Sequence, residues 1–219
     1  MGGLGAVRPL LRHRSAALAA GGALTAPAGL RIAQVVSEVL APPAVASGIV
    51  VAVALTSSGS IAGGLGWAGL ACLFTWGIPY AVVLVGVRRG RLGDTFLSQR
   101  RERVRPMLLA CVSAGVGVVV LARLGAPGDL VRLVVAVLAG LLVSVGVTIR
   151  WKVSVHVAGL AGALAVAVVL YGWWALAGLP MLALVGWARV TVKAHTVAQV
   201  LVGACLGAGV TGATFALLR

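Results

Sequence analysis

Long apolar runs separated by short basic segments constrain the fold of this chain more than any other feature. The runs cover residues of about 43–57, 62–86, 106–123, 129–149, 156–174, 177–190 and 195–218. About 20 apolar residues in a row suffice to cross the hydrocarbon core of a bilayer as a helix. Because 61% of the residues are apolar, a soluble domain of this length could not bury them all. We therefore expect an all-α, polytopic membrane helix bundle of six to seven spans, with residues 31–219 forming one domain.

The first 30 residues differ from the rest of the chain. A basic start (Arg8, Arg12 and Arg14) is followed by an Ala/Gly-rich stretch that ends in small residues, a pattern also found in signal peptides. Large apolar side chains are scarce in this stretch, so we expect an uncleaved basic extension, disordered or interfacial. An amphipathic segment at 31–40 follows, and Pro42-Pro43 should separate it from the first span.

The net charge of +14 indicates membrane topology rather than nucleic-acid binding. The basic residues cluster in short segments between apolar runs, where they would lie at the membrane surface. The segments 87–106, 150–156 and 189–195 are separated by two spans each, so all three should emerge on one face. By the positive-inside rule that face is cytoplasmic, which predicts an integral protein of the plasma (inner) membrane with its site on the cytoplasmic side. Of the 18 Lys and Arg residues, the opposite face receives Arg123, Arg132 and Arg219.

Acidic residues are scarce. None is paired at helical spacing with another, and an enzyme that holds a diphosphate through magnesium needs clustered carboxylates. The three cysteines lie within apolar runs and show no metal-ligand spacing. We therefore predict no metal and no cofactor. The four acids are Glu38, Asp94, Glu102 and Asp129.

Histidines and cations recur near two of the predicted membrane-surface segments. Residues four apart share a helix face, which predicts four pairs: Arg101 with Arg105, Lys152 with His156, Arg189 with Lys193, and His195 with Gln199. Such a set fits phosphoryl chemistry without a metal, in which guanidinium groups grip a phosphate, one imidazole attacks phosphorus and a second protonates the leaving oxygen. Helices starting near residues 153 and 195 would add backbone N–H donors.

With these residues in place, the chain resembles the type 2 phosphatidic acid phosphatase superfamily, whose motifs run Lys-x6-Arg-Pro, Pro-Ser-Gly-His and Ser-Arg-x5-His-x3-Asp. Order and spacing are kept. In the first motif Arg105-Pro106 matches, while Ser98 stands at the Lys position, so that Arg100 or Arg101 would supply this cation.

The second and third motifs match at their chemically active positions, and the resemblance covers roughly residues 90–215. The matching residues are Ser154, His156, Arg189 and His195. The family's Pro, Gly, Ser and Asp are replaced by Val153, Val155, Ala188 and Gln199.

The resemblance implies that His195 forms a phosphohistidine and that His156 is the general acid for the leaving alcohol. It also implies a phosphatase-type core in the C-terminal half. The phosphate would be held by Arg101, Arg105, Lys152, Ser154 and Arg189. At position 199 the family's Asp would orient the nucleophilic imidazole and stabilise its positive charge. A neutral Gln199 can accept the ring N–H but lacks the charge.

Three functions follow. The first is an integral membrane phosphatase acting on a lipid phosphate or diphosphate, isoprenoid or glycerolipid. The second is a prenyl-diphosphate lyase or cyclase that uses the same cationic pocket and needs no histidine nucleophile. The third is a non-catalytic lipid-phosphate binder. Besides this substrate or ligand, the expected partners are membrane lipids, with no nucleic acid; the sequence leaves the oligomeric state open.

Overall fold

The computed structural model describes residues 27–90 and 100–219, with the side chains of residues 100–103 left undescribed. In these ranges all regular structure is helical, which confirms the predicted all-α class. The α-helices are α1 (Ala28–Val39), α2 (Pro42–Ser57), α3 (Ile61–Cys72), α4 (Ile78–Arg88), α5 (Arg100–Arg123), α6 (Gly128–Arg150), α7 (Val155–Tyr171), α8 (Leu179–Thr191), α9 (Val197–Leu206) and α10 (Ala213–Leu218).

Three further helical segments connect these helices. A first π segment (Leu73–Gly77) joins α3 to α4, and a second π segment (Gly207–Gly212) joins α9 to α10. A 3₁₀ segment (Trp173–Gly178) leads into α8. Each pair of α-helices linked by a π segment therefore reads as one long helix with a widened turn inside it.

Within the described residues, five continuous helices are long and apolar enough to cross a membrane, and the chain is an integral membrane protein. They are Ile61–Arg88, Val104–Arg123, Gly128–Arg150, Trp173–Thr191 and Val197–Leu218. Helices α1 and α2 meet at a bend of 45°, and together they form a sixth candidate span if the bent pair is counted as one span. The bend falls at Pro42-Pro43, as predicted. Helix α7, with 17 residues, is apolar but shorter.

Two helix boundaries differ from the sequence prediction. Pro106, where the predicted apolar run begins, lies inside α5, which already begins at Arg100. A proline near a helix end removes one N–H and leaves most of the backbone ladder intact, so the helix can start earlier. The run predicted at 177–190 is extended by the 3₁₀ segment to a helix of 19 residues, Trp173–Thr191.

Apolar side chains cover the outside of the bundle as well as its core. On α5, the exposed Val112, Val116 and Val119 recur at helical spacing, while Ala114 and Leu121 are buried. An apolar outer face of this kind suits contact with lipid tails rather than water.

Hydrogen bonds fix which helix ends lie together. At one end, here called the Asp129 end, the Thr56 and Tyr171 hydroxyls are 3.1 Å apart, and Arg219 Nη1 donates to Val169 O at 2.9 Å. Arg219 also lies 4.0 Å from Asp129. The opposite end, here called the Lys152 end, contains the α6–α7 and α8–α9 connections, which are hydrogen-bonded to each other.

The largest apolar cluster draws on both halves of the chain. It joins buried residues of α2, α3, α5, α6, α7 and α10, among them Val53, Leu121, Leu133 and Phe215. A second cluster packs Val157, Leu160 and Val185 together and brings α7 and α8 into contact near the Lys152 end. Residues 1–26 of the predicted basic extension and residues 91–99, which include Ser98, lie outside the described residues.

Candidate functional site

The first part of the site is the connection into α7. After α6 ends at Arg150, the chain runs extended to Ser154, the N-cap of α7, whose first residue is Val155. The predicted pairing of Lys152 with His156 on one helix face is wrong, because Lys152 precedes the helix. His156 is the second helical residue and is buried.

The second part is the turn between α8 and α9. Helix α8 ends at Thr191, so the predicted pairing of Arg189 with Lys193 on one face is also wrong. Lys193 instead adopts a left-handed conformation with φ of 55°. Lys193 N donates to Val190 O at 2.9 Å, and Ala194 N donates to Arg189 O at 3.1 Å. This is the Schellman arrangement that ends many helices, here with a lysine where glycine is usual.

The turn places His195 directly before the N-cap of α9, Thr196. Thr196 Oγ1 accepts from Gln199 N at 3.3 Å, and Thr196 N donates to Gln199 Oε1 at 3.2 Å, which together form a capping box. His195 Nδ1 lies 3.2 Å from the same Gln199 Oε1. The predicted contact between His195 and Gln199 is therefore present, although His195 lies outside the helix.

The capping box determines which ring nitrogen of His195 carries the proton. An oxygen that accepts the Thr196 N–H can interact favourably with His195 Nδ1 only if that nitrogen donates a proton. A neutral His195 then has its lone pair on Nε2, the nitrogen at the other end of the ring. The arrangement suits a nucleophile or base at Nε2.

Two hydrogen bonds join the two parts of the site. Lys152 Nζ donates to Ala194 O at 2.8 Å, next to His195. Ser154 N donates to Gln199 O at 3.3 Å. A side chain at Gly203 would meet Ser154 O at 2.8 Å, so α9 approaches this connection closely. Lys152, Ser154, His195 and Gln199 therefore form one connected group.

Arg189 and His156 lie close to the same depth in the bundle. Val185 on α8 packs against Val157 and Leu160 on α7, and these helices run in opposite directions. One turn on from Val185 is Arg189, and one turn back from Leu160 is His156. Counted from Val157 instead, Arg189 would lie at the level of Val153, so Arg189 lies within about one helical turn of His156 along the bundle.

The site is largely sealed from the surface. Exposure is 0% for Ser154, 8% for His156, 7% for Arg189 and 7% for His195. Ser154 Oγ has no hydrogen-bond partner among the described residues. A buried hydroxyl in this state is disfavoured unless a ligand or water completes its bonding. The buried Arg189 and the half-buried Lys152, at the same end of the bundle as this hydroxyl, can bind an anion such as a phosphate.

Two of the predicted phosphate ligands are not placed in this group. Arg105 is exposed near the start of α5, and none of its described contacts is a hydrogen bond or ion pair to the group. Nearby Met107 does belong to a cluster that includes Val155, so Arg105 lies at the Lys152 end. The side chain of Arg101 lies outside the described residues.

Sequence reasoning missed Thr196. Its hydroxyl caps α9 and its backbone N–H holds Gln199 Oε1 in place. The signal was present, because Thr-x-x-Gln directly before an apolar run is a capping-box pattern. Small residues at Gly203 and Gly207 let the last helices pack closely against α7, since a side chain at Gly207 would overlap the backbone of Ala158.

No protein family, curated protein or solved structure matches this chain. Within the described ranges, no three His, Cys, Asp or Glu side chains are grouped so that they could hold a metal ion.

Proposed function

We propose that the protein is an integral membrane phosphatase that hydrolyses a lipid phosphate or diphosphate through a phosphohistidine on His195. The observation that carries the proposal is the hydrogen-bonded His195–Gln199 pair, which favours a lone pair on Nε2 of a buried imidazole near Lys152 and Arg189. Lys152, Arg189 and the Ser154 hydroxyl would hold the phosphate, with Arg105 and Arg101 at the entrance to the site.

In the first step, His195 Nε2 attacks phosphorus and the bond from phosphorus to the lipid oxygen breaks. His156 gives its proton to that oxygen, so the lipid leaves as an alcohol, or as a monophosphate when the substrate is a diphosphate. In the second step, water transfers a proton to His156 and attacks phosphorus. The phosphorus–nitrogen bond breaks, its electron pair returns to Nε2, and inorganic phosphate leaves.

We propose that the Lys152 end faces the cytoplasm and that the bundle crosses the plasma (inner) membrane six or seven times. Arg88, Arg150 and Arg189 lie in the last turns of helices at this end. A preponderance of cations in short connections is typical of the cytoplasmic side. The phosphatase-type core is assigned to the C-terminal half, residues 90–215, because α7 to α9 carry the buried group.

A lyase or cyclase acting on a prenyl diphosphate is the second candidate, favoured by the neutral Gln199 beside His195. Ionisation of a diphosphate would use the cations and leave His195 without a covalent role. A third candidate is a non-catalytic binder that retains the phosphate-binding group.

A product-resolved assay separates these functions. The purified protein is incubated with farnesyl diphosphate and with phosphatidic acid, and phosphate, diphosphate and the organic product are measured together. The phosphatase predicts free phosphate and its loss in His195→Ala. Hydrocarbon and diphosphate release that survives His195→Ala would support the lyase. Binding without any product in the wild type would support the binder.

A further inference from the structure

An apolar cavity of about 210 Å³, partly open to the outside of the bundle, lies between the helices next to the candidate site. Its walls come from α2, the first π segment, α5, α6, α7 and the second π segment. For comparison, a cavity of about 150 Å³ lined by apolar side chains binds a benzene ring. Four glycines line the cavity: Gly140, Gly159, Gly162 and Gly207. At Gly159 the missing side chain leaves open space, whereas at the other three a Cβ would meet a neighbouring segment.

The cavity begins where the buried phosphate-binding group ends. Val155 lines the cavity and lies between Ser154 and His156 in the chain. Ala158 and Gly159, in the next turn of α7, continue the wall towards the Asp129 end. A phosphate held at Ser154 therefore has apolar space directly beside it, one helical turn away.

The dimensions favour one chain attached directly to the phosphate. In a glycerolipid two acyl chains branch from a glycerol, so neither begins at the phosphate and both need space. A prenyl phosphate has a single chain that starts at the phosphate oxygen, and its methyl branches need a wide channel. At about 210 Å³, the cavity has room for the first part of one such chain rather than for two acyl chains.

We propose that the cavity binds the first isoprene units of a prenyl phosphate or diphosphate and so selects prenyl substrates over glycerolipids. This inference rests on the phosphatase function proposed above, and it adds the substrate class. Gly159 is the position at which it can be tested. A Cβ built there meets nothing within 4 Å, so a larger side chain would fill cavity space without displacing neighbours.

The test compares Gly159→Leu with Gly146→Leu in purified full-length protein. Gly146 also has nothing within 4 Å but does not line the cavity, so it is the matched control. Ala110→Leu fills the cavity from the α5 wall and replaces Gly159→Leu if that variant does not fold. The substrates are farnesyl phosphate, dimethylallyl phosphate, whose chain is one isoprene unit long, and dioleoyl phosphatidic acid.

We expect kcat/KM of the wild type to be highest for farnesyl phosphate. Gly159→Leu should lower this value by about tenfold or more, because apolar chain surface is no longer buried. Its kcat/KM for dimethylallyl phosphate should fall much less, and Gly146→Leu should stay within about twofold of the wild type on all substrates. The proposal would be overturned if Gly159→Leu and Gly146→Leu lowered kcat/KM for farnesyl phosphate equally. It would also be overturned if the wild type had the same kcat/KM for phosphatidic acid as for farnesyl phosphate.

Failure of the phosphatase function would be recognised separately, because the wild type would then release no phosphate from any substrate. In that case the cavity is tested by the rise in Tm that farnesyl phosphonate produces on binding. A rise that is lost in Gly159→Leu and kept in Gly146→Leu supports the cavity as the chain site. A rise of the same size in both variants overturns it.

Discussion

Gln199 Oε1 lies 3.2 Å from His195 Nδ1 and accepts the Thr196 N–H at the same distance. A residue that caps a helix therefore also orients the imidazole proposed as the nucleophile. Gln199 does both through one oxygen, without charge. This shared oxygen links the stability of α9 to the activity of His195, and it can be tested by substitution.

Replacing Gln199 with Glu should raise the phosphatase rate. Glu keeps the acceptor oxygen at the third position of the capping box and adds a negative charge beside His195. That charge stabilises the positive imidazole as phosphorus is attacked, and we expect kcat to rise by about tenfold or more. The same charge at a helix N-terminus should stabilise α9 by about 0.3–1 kcal/mol.

The control for this prediction is Gln199→Ala, which removes both contacts of the side-chain oxygen. We expect it to lower kcat and to reduce the free energy of unfolding by about 1 kcal/mol. Phosphate release and thermal unfolding in detergent measure the two effects. If Gln199→Glu and Gln199→Ala reduce kcat equally, Gln199 does not act through its acceptor oxygen.

Lys193 is predicted to be a strained position. Its φ of 55° costs a residue with a side chain roughly 1–2 kcal/mol, whereas glycine adopts this conformation freely. Glycine loses more conformational entropy on folding than lysine, and this loss offsets part of the relieved strain. We therefore expect Lys193→Gly to stabilise the protein by about 0.5–1 kcal/mol. Lys193→Val should destabilise it, because a β-branched side chain tolerates this conformation least. Thermal unfolding should show a higher Tm for Lys193→Gly and a lower Tm for Lys193→Val. A lower Tm for both variants would contradict the left-handed conformation of Lys193.

The contact between α7 and the second π segment should be intolerant of any side chain. A methyl group at Gly207 would overlap the backbone of Ala158, whereas one at Gly209 would meet nothing within 4 Å. Gly207→Ala should therefore lose about 1–3 kcal/mol of stability. Gly209→Ala, in the same segment, is the control and should be close to neutral. Similar losses in both variants would mean that α7 does not pack this closely.

The orientation in the membrane can be tested with single cysteines at two exposed arginines, Arg89 near the Lys152 end and Arg123 near the Asp129 end. The native cysteines are first replaced by serine or alanine. In intact cells, a maleimide that cannot cross membranes should label Arg123→Cys and leave Arg89→Cys unlabelled until the cells are opened. Labelling of Arg89→Cys alone from outside would place the site on the opposite face.

Much of the fold could be predicted because apolar run length determines where helices can cross a bilayer. Pro42-Pro43 marked the bend between α1 and α2 correctly. The Trp173–Gly178 segment could not be recognised, because apolar residues in a 3₁₀ turn have the same composition as those in a loop at the membrane surface. The π segments have no sequence signal either, since they depend on which helices pack beside them.

The site could be predicted in part. Spacing brought His195 and Gln199 together, but for the wrong reason, because regular helical pitch was assumed from residue 195 onwards. The helices begin only at Val155 and Val197, after their N-caps, which moves Lys152 and His195 out of the helices. The hydrogen bond from Lys152 to Ala194 and the cavity beside Val155 depend on contacts between distant segments. No local pattern contains them.

Trapping of the covalent intermediate tests the central claim most directly. The protein is mixed with lipid phosphate labelled at phosphorus, quenched in alkali, in which phosphohistidine survives, and digested for mass spectrometry. We predict a phosphorylated peptide with the label on His195, absent in His195→Ala and present in Gln199→Glu. Release of phosphate at the wild-type rate from the His195→Ala variant, or a label on a different residue, would contradict the account.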